Sequence, residues 1–261
     1  PGSKYKTILC NQFLQNKYCV YGTQCRFAHG EDELLNRKEV KEVKKVIHSS
    51  GIILLTNLSN LLNDISNTSS IDIILEEIKN IKSLMSTHRE EYSEHRGWKS
   101  FCIHGKSYDA IKEDSHYNDD RPHIWTPEAE SLMPATVEYF KTQWPGSDYR
   151  RIRVMLLEPG GYITIHRDSD CPGLTAINIA LTQPIGCNFV MEKKGTVPFS
   201  PGKALWLDIS NNHTVFNNSN QERWHIIVHQ SSNSQKFQNE VVNSYKKLYN
   251  NTNENSQNYN P

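Results

Sequence analysis

The chain of 261 residues contains no apolar run of about 18 residues that could cross a bilayer as a helix, and no signal-peptide pattern. Those absences predict a soluble intracellular protein, cytoplasmic or nuclear. Net charge is missing too: 29 Lys and Arg balance 29 Asp and Glu. No bulk field draws the chain to nucleic acid or to an anionic membrane, so any nucleic-acid binding must be local. A disulfide framework is also lacking. Cys10, Cys19 and Cys25 crowd together while Cys102, Cys171 and Cys187 are scattered. That distribution predicts a metal site and three ordinary thiols in a reducing compartment. There is no internal repeat, and the length suits one full domain plus something smaller.

Four regions separate. Residues 4–30 hold the cysteine cluster and few aliphatic side chains. Residues 31–92 carry helical spacing: Leu35, Val43, Val46 and Ile47 share one side of a charged segment from Glu31 to Ile47. Ile71, Ile74, Leu75, Ile78, Ile81 and Met85 do so behind Ser69 and Ser70, either of which suits an N-cap. This region reads as a helical linker or support. From residue 93 to 230 the pattern turns to short strands: WKSFCIH, RIRVMLLE, YITIH, TAINIAL, CNFVME, KALWLDI and RWHIIVHQ. One helix interrupts them, with Thr126 as N-cap, Pro127 at its first position and Leu132, Tyr139 and Phe140 inward, stopped by Trp144-Pro145-Gly146. So many short strands at close spacing predict a mainly β domain, an antiparallel barrel or jelly roll. Residues 231–261 offer one helix (Phe237, Val241, Val242, Tyr245, Leu248) and an asparagine-rich tail with no reason to fold.

Cys10-x8-Cys19-x5-Cys25-x3-His29 supplies three thiolates and an imidazole, a closed tetrahedral shell for structural zinc. A segment this short cannot bury a sufficient core, so metal binding would be its folding energy. KYKTILC followed by KYCVYGTQCRFAHG resembles a CCCH zinc finger of the tristetraprolin type. The resemblance implies single-stranded RNA binding, with Tyr21 and Phe27 stacking between bases. Aromatic stacking with edge hydrogen bonds is how single strands are read. Lys17 and Arg26, with Lys4 and Lys6 and no acidic residue over 4–29, add local positive charge. Two other roles remain open: Tyr21 and Phe27 as packing against the zinc site, and the finger as a protein-binding clip.

His166-x-Asp168 in GYITIHRDSD is weak as a motif, and His88-x-Glu90 offers the same chemistry on a segment that reads as solvated helix. Context adds weight. Residues i and i+2 of a strand share a face, so both His166 and Asp168 can enter a barrel mouth. A 2-His-1-carboxylate triad holds ferrous iron and leaves positions open. His213 is the best third ligand, and Arg223, ten residues on, shares a strand face with His225 and Ile227. A buried arginine there matches the terminal carboxylate of 2-oxoglutarate bidentately. Asp170 reads as a turn residue, Asp208 as a strand-end aspartate near the site, and Trp98, Trp206 and Trp224 as core. RVMLLEPGGYITIHRDSD, LTAINIALTQPIGC and FSPGKALWLDISNNHTVFNNSNQERWHIIV resemble the aspartyl/asparaginyl β-hydroxylase family over roughly residues 98–230. The resemblance implies a double-stranded β-helix that uses Fe(II), 2-oxoglutarate and O2 to hydroxylate an unactivated C–H bond of a protein side chain, Asp or Asn first. It implies His166 and His213 as iron ligands and Arg223 as carboxylate anchor. Animal members lack the triad carboxylate that Asp168 supplies here. Members often carry Arg and His on the next strand, toward the other end of 2-oxoglutarate, where this chain has Ala176 and Asn178. Two alternatives stay open: an RNA-modifying oxygenase, and an RNA-binding adaptor without activity.

Overall fold

The computed structural model describes residues 9–19, 25, 27–30, 52–57, 70–88, 95–116, 119–168, 174–231 and 236–244. Its strands are β1 (Ile52–Asn57), β2 (Ser86–Thr87), β3 (Arg96–Gly105), β4 (Ile124–Trp125), β5 (Tyr149–His166) and β6 (Leu174–Ala180), followed by β7 (Cys187–Met191), β8 (Gly195–Thr196), β9 (Lys203–Leu207), β10 (His213–Asn217) and β11 (Arg223–Ser231). Its helices are α1 (Asn11–Asn16), α2 (Ser70–Ile81), α3 (Ala110–Ser115), α4 (Pro127–Leu132), α5 (Pro134–Thr142) and α6 (236–244).

The sheet runs β1-β9-β6-β11-β5-β10-β7-β8, with β3 against β5. β5 belongs to two layers. Its first half, Tyr149 to Leu157, pairs with β11, and its last residues, Tyr162, Ile163 and His166, pair with β10. A larger layer (β3, β5, β11, β6, β9, β1) therefore faces a smaller one (β5, β10, β7, β8), the arrangement of a double-stranded β-helix. RIRVMLLE and YITIH, two strands by sequence, are one strand. The ladder with β3 shifts register between Arg96 and Trp98, opposite Tyr162 and Leu157, and this bulge absorbs the Glu158-Pro159-Gly160-Gly161 bend.

Period-two alternation sorts β11 cleanly. Trp224, Ile226 and Val228 face outward into a core shared with Ile74, Ile78 and Ile81 of α2, Val137 and Phe140 of α5, Trp144, and Phe237 and Val241 of α6. Side chains of this size contribute roughly 1.5–3 kcal/mol each when buried. Trp144 Nε1 donates to Gln230 Oε1 at 2.7 Å inside that core. The opposite face meets the smaller layer through Leu157, Ile163, Ala180, Phe189, Phe199, Leu205 and Val215.

Several expectations are revised. The single helix after Thr126 is two. Thr126 does cap α4, accepting from Ala129 N–H, but Met133 leaves the helical region (φ −133°, ψ 49°) because it precedes Pro134. Residues 52–57, inside the region read as helical, form edge strand β1 on β9. The helical signal at Ile71–Ile81 holds, and α2 packs on the barrel rather than serving only as a tether. HTVFN, not among the strands expected from the sequence, is β10. His88 is no solvated helix residue: it follows β2 and is 2% exposed. The Glu31–Ile47 helix, Cys171, Asp170 and the asparagine-rich tail lie outside the described residues.

Candidate metal centres and active site

β5 ends at His166 where β10 begins at His213, and the two residues are directly opposed across the ladder. Asp168 follows two residues on, pinned by its N–H to Ile209 C=O at 3.0 Å. One ligand atom from each of His166, Asp168 and His213 lies within 4.8 Å of the others. His166 Nδ1 faces Thr164 C=O at 2.8 Å and His213 Nδ1 faces Asn211 C=O at 2.9 Å. A carbonyl can only accept, so each Nδ1 carries the proton and each Nε2 keeps a lone pair for a metal. His213 stacks on Phe189 (5.2 Å between centroids, 6°). Its burial lowers its pKa, opposed by the Asn211 carbonyl, so the ring is neutral at neutral pH. Two imidazoles and a carboxylate converging from one side suit Fe(II) with positions left open.

Arg223 lies on the same inner face. Arg223 is 6% exposed; its Nη2 lies 3.2 Å from His225 Nδ1 and its guanidinium 5.4 Å from the centroid of Phe199. Among the described residues no carboxylate pairs with it. Burial lowers its pKa to about 10, so it remains charged at neutral pH. A buried cation without a counter-charge is costly, and a bound anion would offset it. Phe189 and Phe199 lie 5.8 Å apart, so two rings link the His213 stack to the arginine. Asn178, 5% exposed, opposes Ile227 on the same face. These groups fit iron and a dicarboxylate together: two Nε2 lone pairs and a carboxylate for the metal, one buried guanidinium for the acid.

A sequence model of the aspartyl/asparaginyl beta-hydroxylase family matches residues 68–232, well over half of the sequence. The chain belongs to the aspartyl/asparaginyl beta-hydroxylase family. A second model, the C-x8-C-x5-C-x3-H zinc finger, matches residues 5–31. In that finger the hydroxylase-family chain is 53% identical over 30 residues to the CCCH-type zinc finger protein moe-3 of Caenorhabditis elegans, 12% of this chain and 8% of that protein. It is 51% identical over 35 residues to mRNA decay factor CTH1 of Saccharomyces cerevisiae, 13% and 11% of the two chains. Such matches span only a small part of those relatives' length. A 2OG-Fe(II) oxygenase family protein from Burkholderia pseudomallei has a TM-score of 0.44 at 12% identity, covering 76% of this chain and 93% of that one. A Trichoplax adhaerens prolyl hydroxylase, solved with a hypoxia inducible factor peptide, has 0.43 at 14% identity, covering 78% and 97%.

The finger of this hydroxylase-family chain brings Cys10, Cys19, Cys25 and His29 together, with one ligand atom of each within 4.8 Å of the others. The Phe13 backbone amide beside Cys10 holds its thiol below the ordinary value, favouring the thiolate that zinc needs. Phe27 N–H points to Cys25 Sγ at 3.4 Å, and Phe13 stacks on His29 (4.4 Å, 9°). Phe13, not Phe27, is therefore the ring that buttresses the ligands. Phe27 is 43% exposed, and Lys17 is exposed in a left-handed turn (φ 54°). Tyr21 and Arg26 lie outside the described residues.

Sequence reasoning missed the wall of the active site. His95 Nδ1 accepts from Thr164 N–H at 3.2 Å, and its ring lies 5.8 Å from that of His166. Phe189, read only as a strand residue, and Phe199, not singled out, carry the stack from His213 to Arg223. Alternation in CNFVM marked Phe189 as inward, but nothing local marked Phe199 or which inward residues would meet.

Proposed function

We propose that this chain is an Fe(II)- and 2-oxoglutarate-dependent hydroxylase of a protein side chain, aspartate or asparagine first, with a zinc finger that binds single-stranded RNA. One observation carries the reading. A triad with both imidazole lone pairs exposed shares a face with a buried arginine that has no carboxylate partner among the described residues. His166, Asp168 and His213 hold the metal, Arg223 takes the terminal carboxylate of 2-oxoglutarate, and Asn178 offers a donor on the same face. When bound, iron and 2-oxoglutarate supply the oxidising chemistry that turns a C–H bond into C–OH. The chain's own part is orientation: Thr164 and Asn211 fix the ligand tautomers, and Phe189 and Phe199 keep the floor dry. In the finger, Cys10, Cys19, Cys25 and His29 hold zinc, while Phe27 and Tyr21 stack on bases and Lys17 and Arg26 meet phosphates.

A second reading has RNA itself as the substrate. A cavity of about 370 Å³ lined by Arg167, Lys193, Lys194, Glu192 and Asn212 adjoins the triad and is more cationic than acidic.

Anaerobic visible absorption of the zinc-loaded protein, first with Fe(II) and then with 2-oxoglutarate, tests the oxygenase reading. A charge-transfer band should require both additions, vanish in His213→Ala, and need at least tenfold more 2-oxoglutarate in Arg223→Met. Turnover with an aspartate- or asparagine-bearing peptide against an RNA oligonucleotide then separates the two substrates. No band, with RNA binding intact, would leave the adaptor.

A further inference from the structure

Arg153 stands on β5, 6% exposed, with Nη1 3.1 Å from His88 Nε2. Arginine can only donate, so His88 Nε2 accepts, and its protonated Nδ1 faces Ser100 Oγ at 3.1 Å. The imidazole is therefore neutral in this arrangement. It orients the guanidinium. Asp114, 3.7 Å from His88 Nδ1, is engaged by Arg151 at 3.3 Å.

Register gives this pair its place. Arg153 opposes Ile227 of β11, and Ile227 opposes Asn178 of β6. Directly opposed residues share a sheet face, as do residues two and four apart on one strand. Arg153 therefore lies on the same inner face as Arg223, four residues or roughly 13 Å further along β11. The next row is Arg151, His229 and Ala176. Where β6 offers only an amide and a methyl group, β5 offers the guanidinium of Arg153, with Arg151 held to Asp114. A line of rings ties the pair to the metal centre: His88 on Trp98 at 4.3 Å, Trp98 on His95 at 5.3 Å, His95 on His166 at 5.8 Å.

We propose that Arg153, oriented by His88, is a second anion anchor of this inner face and takes a carboxylate lying beside the metal. That carboxylate is either the end of 2-oxoglutarate opposite Arg223 or one carried by the substrate. The proposal rests on reading the site as a 2-oxoglutarate oxygenase, and it relocates to β5 a cationic contact that β6 does not supply. The planar fork fits a carboxylate through two parallel hydrogen bonds, which a lysine cannot reproduce.

The test titrates Fe(II)-loaded protein anaerobically with 2-oxoglutarate, following the charge-transfer band, in wild type, Arg153→Met, Arg153→Lys and His88→Gln. In parallel, tryptophan fluorescence reports binding of N-acetyl-aspartate amide, since Trp98 touches His88. A rise of tenfold or more in the 2-oxoglutarate Kd of Arg153→Met, with a smaller rise in His88→Gln, assigns the carboxylate to 2-oxoglutarate. An unchanged 2-oxoglutarate Kd with tenfold weaker binding of the aspartate probe assigns it to the substrate. Neither change overturns the anchor. Should Arg153→Met fail to fold, Arg153→Lys decides: unchanged binding of both probes is equally fatal. A wild type without a band sinks the oxygenase reading by itself. Quenching by glutarate in the metal-free protein, lost in Arg153→Met or Arg153→Lys, would then still support the anchor, and quenching retained would end it.

Discussion

At the scale of single residues, burial decides protonation. His104 is 8% exposed, edge-on to Trp125 at 4.9 Å and to Tyr149 at 5.8 Å. That burial, with the charge of His123 second, lowers its pKa to about 4. His225 and His229 shift the same way, again through burial first. A folded pKa below the unfolded value of about 6.5 means the unfolded chain takes up the proton first as pH falls. Stability is therefore full above about pH 6.5 and is lost as pH drops toward 4. Thermal melts from pH 7.5 to 4.5 should show Tm falling below pH 6.5, and His104→Phe should flatten part of that fall. An identical slope in the variant would rule out this histidine as a source. Residue by residue, the sequence was legible where chemistry needs a fixed set of groups, as at His166, Asp168, His213 and the cysteine cluster. It was not legible at His88, because nothing in THRE shows that a two-residue strand will carry it against Trp98.

At the scale of elements, β5 carries the architecture. It pairs with β3 along its length and passes from β11 to β10 at Glu158–Gly161. Gly161 makes that bend possible: a Cβ there would lie 2.8 Å from both Arg96 C=O and Glu158 C=O, two backbone atoms that cannot swing aside. Gly160 has open space around it but φ 69°, so its constraint is conformational. Gly161→Ala should cost roughly 1–3 kcal/mol in urea unfolding, as overpacking does, and should weaken Fe(II) binding because His166 lies five residues on. Gly160→Ala should cost about 1 kcal/mol and leave Fe(II) affinity unchanged. Equal effects of the two on metal affinity would refute this division of labour. The strands themselves were visible as β-rich runs. Their joining was not, since EPGG reads as a turn until β3 supplies a continuous partner across it.

At the scale of the whole molecule, two parts draw on different sources of stability. The barrel buries an extensive core on both faces of its larger layer. The finger's buried cluster is Cys10, Cys19 and Cys25 with Phe13 beside it, and α1 has six residues and buries none. Such a segment folds on metal or not at all. Treating iron-free protein with a strong chelator should abolish the RNA binding proposed for the finger and expose the three thiols to a colorimetric thiol reagent. The main thermal transition should stay within about 3 °C, since the finger adds little buried area to the barrel core. A chelator that melts the whole chain in one step would show the finger to be part of the barrel's cooperative unit.

The sequence alone determined the parts whose chemistry is local: the zinc ligand spacing, the His-x-Asp pair at a strand end, the alternation that puts Arg223 inward, the cap at Thr126. Each depends on residues close in the chain and on a period of two or 3.6. Tertiary structure decided what alternation leaves open. It set His213 opposite His166, laid Phe189 and Phe199 between the metal site and Arg223, folded residues 52–57 onto β9, and brought His88 to Arg153 across 65 positions. Alternation fixes which face a side chain takes, but register between distant strands fixes which side chains meet, and register is set by bulges and by the packing of both layers.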